Sequence, residues 1–573
     1  MKFKPFKILF SLSVLGLLTT ACDALKDLDY VVSPSPLEMH GDSVKIQVTV
    51  KVPEKGIRKK IVAELSPMYG DLALDPIRLN GEKIEAGEKT IPFKPGGTVT
   101  YNQFVAYAPT MENAELTISG KVYKGAVGGK EITKAALPST KIADATIITP
   151  LLVNKDYKVI GEDFEFERVK EYSTSAIVNF DKAKSNVKAI ELKDTDIVAL
   201  KEWLIASTSN PKIKIKSISI NGFASPEGET SKNDSLSSDR VKAARSALEK
   251  LVTVKKETLV DLSSVNYSLK GLGEDYEGFK TALRASEEIS KEDQDLLIRI
   301  VEMNNDPETR EKEIRNLAKA FKNLEKFIFP MLRRSEIVVT YDLEGFSDEE
   351  LKTIAVSNPD SLKADELMQA AKVTEDNETK VLIYQAASAK DAENTLIFNN
   401  MGVAQYNLAK IDEAKESFSK ANSIKENVIS KNNMAAVHGI QGDRNSAKEL
   451  LEQASGAGKE VNYNTGILNI MDGNYAKAVE NFGSESSYNK ALAQILDGSV
   501  DQSVSTLDNS IDKESAQGFY LKAIASSRQN DVDGVVGNLK SAMALDASYK
   551  EKAANDREFL NFYENASFSG IVK

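Results

Sequence analysis

The chain holds one cysteine and two histidines in 573 residues, and that scarcity removes most catalytic chemistry. Cys22, His40 and His438 are far apart in sequence, so a Cys–His pair, a Ser-His-Asp triad and a Cys/His metal cage each lack parts. A single thiol leaves no internal disulfide framework. Basic residues are in the minority, 74 Lys and Arg against 85 Asp and Glu, for a net charge of −11 and a pI near 5.2. Such a balance argues against a general nucleic-acid binder. No apolar run approaches the roughly 20 residues of a spanning helix. Gly271-Leu272-Gly273 lacks the third glycine and the strand-to-helix setting of a nucleotide loop. No enzyme activity, cofactor or metal is therefore expected. What remains is ordinary for folded protein, 41% apolar and 28% charged, and the length predicts about three or four domains.

Residues 1–22 read as a targeting segment. Lys2, Lys4 and Lys7 precede a short apolar run over residues 8–18, as in a secretory leader. The run ends Leu18-Thr19-Thr20-Ala21-Cys22, which resembles a lipobox, with Thr19 where that pattern usually has Leu. The resemblance implies cleavage before Cys22 and acylation of its thiol. From residue 23 to about 170 the period is two. Val44, Ile46, Val48, Val50 and Val52 alternate with polar residues, and Asn80-Gly81 is a hairpin-turn dipeptide. Short strands between Gly and Pro turns predict an antiparallel, immunoglobulin-like sandwich that serves as a spacer or docking module. Residues 147–166 are expected to add a strand pair leading onward.

A second domain is expected over 171–345. At its centre, Ile218 and Ile220 lie on a strand that breaks at Asn221-Gly222, and a loop Ser225-Pro226-Glu227-Gly228 leads into a helix beginning near Lys232. Leu236, Arg240, Ala244 and Leu248 share one helix face. Strand, glycine-bearing loop and helix N-terminus together favour an anion, and Arg240 could add a bidentate carboxylate contact. Asp196 is read as the cap of an earlier helix bearing Ile197, Leu200 and Leu204. Residues 276–329 form an insert, with Leu296, Ile300, Leu317, Phe321 and Leu324 predicting two helices.

These residues resemble the peptidoglycan-associating domain of OmpA-like proteins and Pal lipoproteins. Gly222 and Gly228 match its two glycines, and Asn233, Leu236, Ser237 and Arg240 match its helix motif. Val178-Asn179-Phe180-Asp181-Lys182 is similar to the opening strand and loop, and Leu332-Arg333-Arg334-Ser335-Glu336-Ile337-Val338 to the closing strand. The Ser-Pro-Glu-Gly loop and the helical insert resemble a divergent branch. The resemblance implies an α+β domain in which Arg240 takes the carboxylate of diaminopimelate while Asn233 orders the loop. The acid expected for the ligand's ammonium aligns with Ser225, so Glu227 would have to supply it. The alternative is that Arg240 pairs with a local acid, Asp239 or Glu227.

Residues 346–377 read as a polar linker with short helices. From 378 to 573 the chain repeats. Gly402, Ala435, Gly466, Ala491 and Ala523 recur at steps of 33, 31, 25 and 32 residues, and the large and small residues resemble tetratricopeptide repeats. The short step implies a trimmed third repeat or a misplaced fourth. Repeats contact mainly their neighbours, so this all-α solenoid is expected to be separable, with a concave face for an envelope protein. The combined expectation is an outer-membrane, periplasm-facing lipoprotein that contacts the peptidoglycan stem peptide and scaffolds protein. The alternative is an interaction-only accessory of an assembly, secretion or surface-fibre machine.

Overall fold

The computed structural model describes residues 27–84, 89–254 and 257–573; Cys22 and the leader lie outside them. Two units are compact. One joins the chain up to Asp163 with Asp376–Lys573, and the other is Phe164–Glu375.

The first unit begins as two sheets. In one, Ser43–Val52 pairs antiparallel with Asp29–Ser33 and Gly97–Ala106; in the other, Ile61–Tyr69 lies between Ile77–Gly81 and Leu116–Lys124. The alternation of Val44, Ile46, Val48 and Val50 puts all four against Leu65, Leu79 and Leu116 in a shared core. Each fully buried aliphatic of this kind stabilises by about 1.5–3 kcal/mol. Two short pairings depart from the antiparallel expectation: Thr146–Ile147 runs parallel to Leu37–His40, and Thr90–Ile91 parallel to Ile77–Gly81.

After helix Asn377–Lys390 the same unit continues in five helix pairs, Thr395–Asn407 with Ile411–Ile424, Val428–Gln441 with Arg444–Gln453, Lys459–Met471 with Tyr475–Phe482, Tyr488–Leu496 with Val500–Asp508, and Ala516–Arg528 with Val532–Leu545, and closes with Ser548–Asn555 and Ala566–Val572. Close crossing explains the small residues. A Cβ on Gly402 would stand 2.6 Å from the Phe418 ring, and one on Gly466 2.7 Å from Phe482. Ala435 with Leu451, Ala491 with Leu507 and Ala523 with Leu539 repeat the same sixteen-residue offset. The offset holds in every pair, so the short step belongs to a trimmed third repeat, whose second helix, Tyr475–Phe482, has only 8 residues.

The helix pairs are not separable in the way their repetition suggested. Arg444 pairs with Asp42 at 2.5 Å, Arg528 with Glu38 at 2.8 Å, and the His40 ring stands edge-on to Tyr475 at 4.9 Å. Residues 154–162, read from sequence as part of a strand pair, belong to no sheet; the helix pairs hold them instead.

The second unit is a four-stranded sheet in the order Val169–Asn179, Arg334–Glu344, Ile213–Ala224, Asn266–Glu274, parallel only between the last two. Helices Thr195–Ser207 and Thr230–Leu251 cover the face carrying Ala176, Val178, Ile218, Ile220, Ile337 and Val339. Three expectations need correction. Asp194, not Asp196, precedes the first helix; the Asp196 carboxylate accepts the Ile177 N–H on the neighbouring strand at 2.7 Å. The insert holds more than two helices, including Tyr276–Ala285, Lys291–Met303 and Pro307–Asn316, around a core of its own. There Leu297 and Val301 point inward and Leu296 is exposed, a one-residue rotation from the expected face. The short helices expected over 346–377 are present as Asp348–Ser357 and Ala364–Val373, but they belong to this unit rather than to a linker, with Leu351, Leu367 and Ala371 buried.

Candidate functional site

Two arrangements of buried polar groups stand out, one in each unit. The first is the cradle at the end of Ile213–Ala224. A Cβ on Gly222 would lie 2.3 Å from the Ser237 carbonyl oxygen, so this glycine lets Thr230–Leu251 press directly on the strand. That contact brings Ser225, Glu227, Asn233 and Arg240 together.

Arg240 is only 1% exposed. Its guanidinium donates to three carbonyl oxygens: Lys184 at 3.1 Å, Phe223 at 2.7 Å and Asp181 at 3.2 Å. It also lies 5.3 Å from the Phe180 ring. Neither local acid is its partner, since Asp239 pairs with Lys242 and Glu227 with Arg333. Burial, helped by the nearby Arg333 charge and opposed by Glu227, holds the Arg240 pKa down to about 10. At neutral pH the group is still a cation, and it staples the helix to the 181–184 loop.

Glu227 Oε1 accepts from Ser225 Oγ at 2.8 Å and from Arg333 Nε at 2.9 Å and Nη2 at 2.5 Å; Lys182 Nζ stands 3.2 Å from Oε2. Asn233 Nδ2 donates to the Ser225 and Gly228 carbonyls, both at 3.4 Å, and to Glu274 Oε1 at 2.7 Å. It therefore spans the loop it was expected to order. Burial raises the Glu274 pKa above the ordinary carboxylate range, against the lowering effect of its bonds from Asn233 and the Tyr276 hydroxyl. The cradle gathers two buried cations, Arg240 and Arg333, and the exposed Lys182, which also pairs with Glu325, around the buried Glu227 carboxylate. It favours anions electrostatically. Arg333 and Lys182 received no role from the sequence, although both lie in the quoted strand motifs.

The second arrangement runs along the inner face of the helix pairs. Four asparagines each clamp one residue of segment 154–162, accepting its N–H and donating to its own C=O, all at 2.7–2.8 Å. Asn489 holds Asn154, Asn464 holds Lys158, Asn433 holds Ile160 and Asn400 holds Glu162. The segment thus runs antiparallel to the repeat order. Asn399 and Asn432 donate further bonds to Ile160 and Lys158, and the amides bridge one repeat to the next, Asn433 to Asn399 and Asn464 to Asn432. Asn399, Asn432, Asn433, Asn464 and Asn489 are fully buried. Orphaning any such amide would cost about 1–3 kcal/mol, and the segment satisfies them together.

Side chains add a second layer. Asp156 accepts from the Tyr463 hydroxyl at 2.8 Å and from Asn489 at 2.9 Å. Tyr157 is 3% exposed and lies over Gly439, where a Cβ would meet its ring at 2.5 Å. A signal for this site was present in the sequence: each clamping asparagine stands two residues before the small residue of its helix, in FNNMG, KNNMA, NYNTG and YNKA. An asparagine at the same place in four repeats, buried in three of them, has no packing explanation.

No family model matches the chain, and no curated protein matches it. Among solved structures, similarity extends to the Cut9–Hcn1 hetero-tetramer of APC/C, with 11% identity over 39% of this chain and 45% of that one, at a TM-score of 0.32. A tetratricopeptide repeat protein from Parabacteroides merdae ATCC 43184 is 16% identical over 36% of this chain and 88% of its own, at 0.28. PilW, a type IV pilus biogenesis factor, is 14% identical over 39% and 98%, at 0.26. The helix pairs themselves, with small residues facing large ones at a fixed offset, form a tetratricopeptide-type solenoid.

Proposed function

We propose that the chain is a non-catalytic scaffold lipoprotein of the Gram-negative envelope, held at the outer membrane through acylated Cys22. The observation that carries the scaffold reading is the joining of sandwich and solenoid into one body, by ion pairs across their surfaces and by the clamped segment between them. Such a body presents a large rigid surface. The cradle favours this reading over wall binding, because Arg240 already spends its donors on three backbone carbonyls and Glu227 is taken by Arg333.

Cell-wall contact is the second reading. It is supported by the strand and helix order of the central unit, by the matched Asn233 and Arg240, and by the excess of buried positive charge. An incoming carboxylate would relieve the repulsion between Arg240 and Arg333. Purified sacculi distinguish the two. Under the scaffold reading the mature protein stays in the supernatant; co-sedimentation that Ser225→Asp strengthens would restore wall binding as the function. The anchor is tested by Cys22→Ala, which should move the protein to the soluble fraction, since acyl chains supply about 0.8 kcal/mol per buried CH₂.

A further inference from the structure

The solenoid groove is a complete recognition site whose ligand is part of the same chain. Its main contacts are amide pairs to backbone N–H and C=O, which read an extended conformation and ignore side chains. Selectivity comes from two adjacent positions. Asp156 is read by the Tyr463 hydroxyl and Asn489, and Tyr157 fills the hollow over Gly439. Two residues beyond, Val159 packs against the apolar clusters of the solenoid. The site therefore recognises an extended Asp-Tyr-x-aliphatic segment.

Residues 154–162 pack against the solenoid's apolar cluster through Tyr157 and Val159, while the helices of each pair also meet one another directly. The small-to-large contacts that join helices within each pair, Gly402 with Phe418 and Gly466 with Phe482, lie between helices and involve no atom of the segment. The segment is also joined to the sandwich, through residues 149–152, so it meets the groove at the high effective concentration of a tethered ligand. Tethering of this kind raises apparent affinity by about 10²–10⁴-fold without a new contact.

We propose that residues 154–162 act as a resident ligand that closes the solenoid groove, and that the groove, once vacated, takes an Asp-Tyr-x-aliphatic segment of a partner chain in extended form. The proposal rests on the scaffold reading and deepens it by giving the partner's chemistry and the reason the groove is shut. The probe is a labelled peptide with the sequence of residues 152–164, LVNKDYKVIGEDF, titrated against the full mature chain. A second chain carries Tyr157→Ala and Ile160→Pro, which remove the anchor ring and one clamped N–H while leaving every groove residue intact. The altered chain should bind the peptide at least about 100-fold more tightly than wild type. Binding should be lost with a peptide whose tyrosine is alanine, and also when Asn433→Ala and Asn464→Ala are added to the altered chain.

Equal binding by wild type would overturn the closure, and equal binding of the tyrosine-less peptide would overturn the recognition. Circular dichroism and thermal melting of the altered chain run alongside. If its helices melt, the segment is a folding element of the solenoid and the resident-ligand proposal falls. If it stays folded and ignores the peptide, the proposal falls as well. Neither result bears on the scaffold reading, which concerns the wild-type body and its ion pairs between sandwich and solenoid. That reading fails separately, if sacculi retain the wild-type protein.

Discussion

The cradle and the groove are both filled, but by different means. In the cradle, charged side chains are neutralised or capped by the fold that carries them: Arg240 by three carbonyls, Glu227 by Arg333 and Lys182. In the groove, neutral amides are satisfied by a segment at least 238 residues away in sequence. A buried cation must have local partners, because its desolvation penalty is several kcal/mol. A row of asparagines has a cheaper alternative, since water can replace the segment. The cradle is thus a fixed structural element, and the groove is an equilibrium between two occupants.

The largest test of that contrast is Arg240→Ala. Three carbonyls lose a charged donor and a core-sized hole opens, so the central unit should lose about 3–5 kcal/mol by urea unfolding. Retained stability would mean that the arginine is not the staple described. In the groove, Asn464→Ala removes the clamp on Lys158 and the bridge to Asn432. A loss of about 1–3 kcal/mol is expected, with faster amide exchange at Lys158. Protection at that amide equal to wild type would count against the ladder. Gly439→Ala has opposing effects. The helix gains about 1 kcal/mol from the better helix former, while crowding of the Tyr157 ring costs about 1–3 kcal/mol. The net loss should be small, but Tyr157 should become accessible to solvent, which quenching of its fluorescence would read.

The smallest effect is a pH slope. Burial holds the Glu274 pKa above its unfolded value, so the group contributes stability below the ordinary carboxylate range and loses it as pH rises through the raised value. The central unit should weaken gently over that interval, and Glu274→Gln should flatten the slope. An unchanged slope in the variant would place its origin elsewhere.

Periodic features were the most legible in the sequence. The valines of Ser43–Val52 alternate as they fold, and the small residues of the solenoid mark its helix crossings, although the helix pairing was needed to choose a trimmed third repeat over a misplaced fourth. The cradle residues were also legible as a group, because they lie within one strand, loop and helix. Their partners were not. Arg240 bonds to backbone carbonyls, which no side-chain motif records, and Glu227 meets Arg333 from the far end of the domain. Segment 154–162 was the least legible. It looks like a strand because it is extended, yet its pairing groups are side-chain amides contributed by four separate helices. Asp348–Ser357 and Ala364–Val373 were legible as short helices but not as part of the central unit, because their polar residues outnumber the few apolar ones that anchor them.

The position of the central unit within the chain has a consequence for assembly. Asn154 leaves the ribosome 335 residues before Asn489, its clamp. Phe164–Glu375 is continuous in sequence and can fold without waiting for that clamp, whereas the sandwich–solenoid body cannot be completed until the last repeats arrive. The central unit is thus a finished bead on an open loop. Closing that loop is a late step that joins a waiting segment to helices made last, and a chain truncated before residue 400 would keep its bead and hold no clamp with which to close the loop.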